Sequence, residues 1–270
     1  MIFKSTALIG LLSMAPLLAT ATLRSSPRVC SVNEGSRTLI TASGADRDEL
    51  VDAFEAFRSL LGGENNGNGP GQSSGHRQVN WDADAVPFDM PNDFFEATVT
   101  RGMAVESQNN EFRVSNPPDG SDNLFDSINK SFSGELVTFS PKRLFTVVKG
   151  ENKLDVLFSV PQKPEDRATV DGYGVVLADI DKEGVTKVTF YDANDCIIAT
   201  EYAPANNQGL SFVGGYFPDT PIYRVRIVLG DVAIDRPNEC DYYCRIGWRS
   251  GKTDRVVMDD FIYSEPQKYY

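Results

Sequence analysis

Asp179 and Asp181 stand one residue apart ahead of Gly184 in LADIDKEGVTKVTFYDAND, a spacing that can hold a calcium ion or shape a turn. An EF-hand loop opening at Asp179 requires a bidentate glutamate at its twelfth position, and that position is Phe190. The EF-hand is excluded. The flanks GYGVVLA and VTKVTFY have strand character, which makes DKEG at 181–184 the turn of a hairpin with Gly184 at positive φ. That turn leaves Asp179 without a role. A β-sandwich can instead gather carboxylates from separate strand ends at about 2.3–2.6 Å from one calcium ion. VVMDDFIY adds Asp259 and Asp260, so the candidate calcium ligands are Asp179, Asp181, Asp259 and Asp260. Neighbouring residues on a strand face opposite ways, so at least one of Asp259 and Asp260 turns inward or sits at a bulge. An inward carboxylate needs a metal or amide donors, and both alternatives stay open.

GHRQVNWD, residues 75–82, offers a second constellation. Trp81 could stack on a sugar ring while Arg77, Asn80 and Asp82 bond to its hydroxyls. The alternative is a polar latch that seats the preceding glycine-rich loop. Enzymatic chemistry is thinly represented. His76 is the single histidine, and neither GxSxG nor a reactive-cysteine signature is present. Paired carboxylates for glycoside hydrolysis remain available in so acidic a chain. No glycine loop follows a strand and opens a helix, so no nucleotide cofactor is expected. Asn129 begins the sequon NKS and is a candidate glycosylation site. Lys142 and Arg143 in SPKRLFTVV are expected to pair with the protein's own carboxylates.

Compartment follows from the N-terminus. Lys4, an apolar run from Ala7 to Leu18, and Ala19-Thr20-Ala21 form a secretory signal peptide over residues 1–21. The run is too short to span a bilayer, so a secreted, extracellular protein with no membrane span is predicted. The formal charge is −12, and cleavage would remove Lys4 and no acid. Such a surface repels phosphate backbones, which argues against nucleic acid and anionic membrane as partners. Cys30, Cys196, Cys240 and Cys244 form an even set in an oxidising compartment, and they allow three disulfide pairings. In one of them Cys240 and Cys244 close a small loop and Cys30 ties the N-terminal arm to Cys196. With one histidine available, zinc is not expected.

These residues must be positioned by a β-rich framework. After an N-terminal arm at 22–44, leucine and phenylalanine recur at helical spacing over 46–61, as Leu50, Phe54, Phe57 and Leu60 or Leu61. Asp46 is the expected N-cap and Gly62 the stop. A glycine-rich loop occupies 62–75. From about residue 93 the chain turns to short β-branched and aromatic segments: EFRVS, ELVTFSP, RLFTVV, KLDVLFSV, GYGVVLADI, VTKVTFYDA, CIIATEYA, LSFVGGYF, IYRVRIVLG and RVVMDDFIYS. In IYRVRIVLG, Val225 and Ile227 alternate with Arg224 and Arg226, as in a strand with one wet face. The prediction is all-β: one antiparallel, jelly-roll-like β-sandwich domain over 45–266 with a single N-terminal helix.

The succession FRSLLGGENNGNGPG, GHRQVNWD, FFEATVTRGMAVES, FSPKRLFTVV, YGVVLADIDKEGVTKVTFYDAND, GLSFVGGYF and VVMDDFIYSEP resembles a family of exported, mostly bacterial β-rich proteins. The resemblance covers roughly residues 54–266 and implies one secreted β-rich domain that includes the helix and the glycine-rich loop. It carries over no catalytic residue. The segment 236–252 and the N-terminal arm depart from the pattern, so the disulfides have no family counterpart. The function expected from all of this is a non-catalytic binding or cell-surface module, for carbohydrate or a cell-surface component, steadied by calcium. A polysaccharide-active hydrolase and a structural matrix or envelope protein are the alternatives.

Overall fold

The computed structural model describes residues 36–236 and 253–270. The signal segment, Cys30, Cys240 and Cys244 lie outside the described residues. Among the described residues, the strands in chain order are β1 (Thr38–Gly44), β2 (His76–Val79), β3 (Asp89–Met90), β4 (Met103–Glu106), β5 (Phe112–Val114), β6 (Phe145–Val147), β7 (Lys153–Val160), β8 (Lys163–Thr169), β9 (Gly172–Ile180), β10 (Lys187–Tyr191), β11 (Ile197–Tyr202), β12 (Asn206–Tyr216), β13 (Arg224–Val228), β14 (Val257–Ser264) and β15 (Gln267–Lys268). The helices are α1 (Arg47–Leu61), a π-helical turn at Phe94–Thr98, and a single turn, α2 (Phe132–Glu135).

The strands form two antiparallel sheets, so the expected all-β sandwich is the observed fold class. The first sheet runs β1-β12-β9-β14-β6-β5-β3 with β2 also on β14; the second runs β11-β10-β13-β7-β8-β15 with β4 also on β7. Alternation decides what lies between them. Val175 and Leu177 on β9, Val225 and Ile227 on β13, and Val156 and Phe158 on β7 fill the inter-sheet core. The opposite face of β9 and β12 presents Val176, Ala178, Leu210 and Phe212 to α1.

Local chemistry sets the helix limits. The Asp46 carboxylate accepts the amides of Asp48 and Glu49 at 2.9 and 3.3 Å, satisfying two donors of the first turn. Gly62, at φ 67°, ends the helix and returns its N–H to Arg58 O. Leu50, Phe54, Phe57 and Leu61 are buried against the first sheet. Close approach depends on missing side chains below: a Cβ at Gly214 would lie 2.7 Å from Phe57 Cδ2, and one at Gly174 would lie 3.0 Å from Phe57 Cε1.

Three expectations change. Thr38–Gly44, expected within an arm, is β1, paired with β12 along its whole length; its mixed burial disguised a sheet edge as loop. ELVTFSP contains no strand: α2 ends there, and Leu136 and Phe139 point into the helix-side core. DKEG is not a hairpin turn, because β9 pairs with β12 and β14 whereas β10 pairs with β11 and β13. It carries the chain from one sheet to the other, and Gly184 has the positive φ expected, 72°.

Candidate functional site

The GHRQVNWD segment contains β2, on β14, and buries His76, Arg77, Val79 and Trp81. Arg77 forms a bidentate pair with Glu265, Nε to Oε2 at 2.8 Å and Nη2 to Oε1 at 2.7 Å. The remaining guanidinium donors reach Gly67 O at 2.7 Å, Gly69 O at 3.0 Å and Pro70 O at 3.1 Å. Glu265 also accepts Gln72 N and Asn66 Nδ2. One buried ion pair therefore holds the glycine-rich loop through its carbonyls and amides. Trp81 is 1 % exposed, stacks on Phe145 at 4.0 Å and donates Nε1–H to Asp259 O at 2.7 Å. Its ring faces are filled by core, so it cannot serve as a sugar platform. Asp82 Oδ1 accepts the amides of Lys142 and Arg143, at 2.6 and 3.0 Å, while Asn80 is exposed. Of the four candidate sugar ligands, Arg77, Trp81 and Asp82 are taken up in bonds that fasten loops to the sheet.

The four candidate calcium ligands are also separated. Val257 pairs with Ala178 and Phe261 with Val175, so Asp259 and Asp260 lie opposite Val176, three residues along β9 from Asp179. At about 3.3 Å per residue this is roughly 10 Å along the backbone of β9. Among the described residues no group of three His, Cys, Asp or Glu side chains is placed to hold a metal. Asp179 has a different role: at φ 64° its carboxylate accepts Gln208 N at 2.8 Å, bracing the irregularity that interrupts the β12–β9 ladder between Asn206 and Leu210.

Asp181 donates its amide to Asp254 Oδ1 at 2.9 Å. Asp254 is fully buried, its Oδ2 has no hydrogen-bond partner among the described residues, and its own amide donates to Asp231 Oδ1 at 2.9 Å. Burial, opposed by the Asp181 amide but reinforced by the charges of Asp181 and Asp231, raises its pKa to about 6. Lys182 pairs with Asp231 at the rim of this group. Nothing in the sequence around Asp254 marks it: a TDR triplet reads as surface.

Asp259 and Asp260 are the clearest departure from strand alternation. Met258 and Phe261 both face the inter-sheet core, and Val257 and Ile262 both face the helix. Two residues between equivalent positions, where alternation allows one, require a bulge, and the ladder to β9 shifts between Met258 and Phe261. Both carboxylates consequently lie on the helix side. Asp259 Oδ2 accepts Phe139 N at 2.6 Å and Oδ1 accepts the Ser140 hydroxyl at 3.2 Å. Burial, and then the neighbouring Asp260, push the Asp259 carboxyl well above the usual carboxylate range; burial also raises Asp260.

The outer face of the second sheet has another character. Register aligns Thr200, Thr189, Arg226, Asp155 and Glu106 in one row across β11, β10, β13, β7 and β4. Arg226 binds Asp155 through two bonds, at 2.7 and 2.6 Å, and the hydroxyls of Thr200 and Thr189 are 3.2 Å apart. In the adjacent row Arg224 lies 3.7 Å over the Tyr191 ring and pairs with Asp155 and Asp195. Tyr202, 48 % exposed, stands at the edge beside Lys187. The polar face expected from the alternation of Arg224 and Arg226 thus extends over five strands, with Thr189 buried within it.

Cys196, buried at the start of β11, is not a free thiol. The sequon asparagine, Asn129, lies partly exposed before α2, its side chain accepting Ser131 N at 3.2 Å. The chain matches no family model, no curated protein and no solved structure.

Proposed function

We propose that this is an exported, non-catalytic binding or cell-surface module that takes extracellular carbohydrate on the outer face of its second sheet. The observation that carries the reading is the row Thr200–Thr189–Arg226–Asp155–Glu106, crossing five strands on the face turned away from the inter-sheet core. Hydroxyl groups of a sugar donate and accept in alternation, and a row that interleaves hydroxyl, guanidinium and carboxylate answers both needs. The ion pairs within the row hold the polar groups in place before a ligand arrives, reducing the ordering cost of binding. Tyr202 supplies an exposed ring for the apolar face of a sugar. By contrast, Arg77, Trp81 and Asp82 are engaged in holding loops, and a ligand at any of them would displace bonds the fold uses.

A polysaccharide hydrolase would need two carboxylates about 5–9.5 Å apart across an open cleft. Asp259 and Asp260, the most perturbed pair, are instead adjacent on one strand and buried.

A glycan-array screen of the mature chain tests the proposal, followed by the same screen on Arg226→Ala and Tyr202→Ala proteins with unchanged melting curves. Binding by the parent and loss in both variants is expected. No bound glycan overturns the carbohydrate assignment, and binding that survives both substitutions overturns the assignment to this face.

A further inference from the structure

Beside the row that contains Arg226, strand register sets a second row on the second sheet: Tyr202, Lys187, Val228 and Lys153, across β11, β10, β13 and β7. Their neighbours along these strands, Ala203, Val188, Ile227 and Leu154, belong to the inter-sheet core, so alternation turns the four to the outer face. Lys153 and Tyr202 are exposed, and Lys187 and Val228 are half-buried. Lys187 Nζ lies 5.7 Å from the centre of the Tyr202 ring. At about 4.8 Å between strands, the backbones of the two lysines stand roughly 10 Å apart with Val228 between them.

The cations of this face fall into two groups. Arg224 and Arg226 are committed to Asp155, and Arg224 to Asp195 as well. Lys187 and Lys153 have no ion-pair partner among the described residues, whereas Lys130, Lys182 and Lys268 pair with Asp126, Asp231 and Asp166. The outward charges on the five strands are Arg224, Arg226, Lys187 and Lys153 against Asp155 and Glu106. The turn between β10 and β11 adds Asp192 and Asp195, beyond Tyr191 and at the opposite end of β10 from Lys187. Positive charge therefore gathers at the Tyr202 end of the face, on a chain whose formal charge is −12.

We propose, resting on the assignment of carbohydrate to this face, that the ligand is an anionic glycan whose carboxylate or sulfate groups meet Lys187 and Lys153. Tyr202 then covers the apolar side of the sugar whose charged group meets Lys187. An ammonium on a flexible stem is a point charge that serves either anion, and neither lysine gives up an existing ion pair to do so. Repulsion from the rest of the acidic surface is damped beyond about 8 Å at physiological ionic strength, while contacts with the row form inside that distance.

The test measures binding of the folded full chain, by calorimetry at about 50 mM salt, to oligogalacturonate and to its methyl ester, which keeps the sugar backbone and removes the charge. Dextran sulfate and dextran repeat the comparison for sulfate. At least one charged glycan is expected to bind about tenfold more tightly than its neutral counterpart, the yield of two exposed ammonium contacts. The variant carrying both Lys187→Gln and Lys153→Gln should lose that preference with an unchanged melting curve. Lys142→Gln, at an exposed lysine in the segment before β6, should retain it. Equal affinity for charged and neutral glycans, or a preference that survives the double substitution, overturns the anionic assignment and leaves carbohydrate on this face standing. Should the double variant fail to fold, a preference of the parent that is the same at about 500 mM salt overturns the assignment, and one that shrinks upholds it. A single-stranded DNA oligonucleotide that binds as tightly as the charged glycans also overturns it. So does binding of neither charged glycan, and the neutral sugars of the array then decide separately whether carbohydrate binding survives.

Discussion

Arg77 and Glu265, 188 positions apart in the chain, close a bidentate ion pair whose side chains are 0 % and 1 % exposed. The pair joins β2 to the end of β14 and gathers the carbonyls of the glycine-rich loop around the guanidinium. Replacing Glu265 by Gln strands a buried cation, so unfolding free energy is expected to fall by about 3–5 kcal/mol. Urea denaturation measures the loss, and proteolysis within 62–75 should rise with it. A midpoint unchanged from the parent would mean that the loop is held by other contacts.

Asp254 makes a pH prediction of definite sign. Its carboxyl is raised to about 6 in the fold, against about 3.9 in an unfolded chain. The folded state therefore binds more protons between these values, and stability falls as pH climbs through about 6. Melting temperature is expected to be higher at pH 4.5 than at pH 7. Asp254→Asn, which keeps an acceptor for the Asp181 amide, should raise the melting temperature at pH 7 and flatten this part of the profile. A parent profile that rises from pH 4.5 to 7 would contradict the assignment.

Gly214 lies beneath the α1 ring of Phe57. Alanine there adds one methyl group 2.7 Å from Phe57 Cδ2, and relief requires moving either the ring or the helix. The expected cost is about 1–3 kcal/mol, read from chemical denaturation. Stability equal to the parent would show that α1 does not bear closely on β12.

The disulfide expectation can be settled chemically. Since Cys196 is not a free thiol, thiol titration of the unfolded, unreduced protein should leave it unlabelled. Peptide mapping is expected to link Cys30 to Cys196 and Cys240 to Cys244. A labelled Cys196 or another linkage would discard that pairing.

By itself the sequence determined the fold class and the elements whose signals are local. Helix α1 was legible from start to stop because its N-cap, its apolar stripe and its terminal glycine all lie within seventeen residues. Strands β7 and β9 were legible end to end because their neighbours in sequence already define the pattern of burial. Only the tertiary structure could decide what the polar residues do. Asp179 braces a bulge in β12, Arg77 meets a carboxylate at the far end of the chain, and Asp82 holds amides about sixty residues away, as the structure shows. A carboxylate is read from its partners, and partners are chosen by sheet order, which the spacing of residues along the chain does not encode. The same reason explains DKEG: its glycine predicts a turn, yet whether that turn closes a hairpin or crosses between sheets depends on which strands pair with β9 and β10.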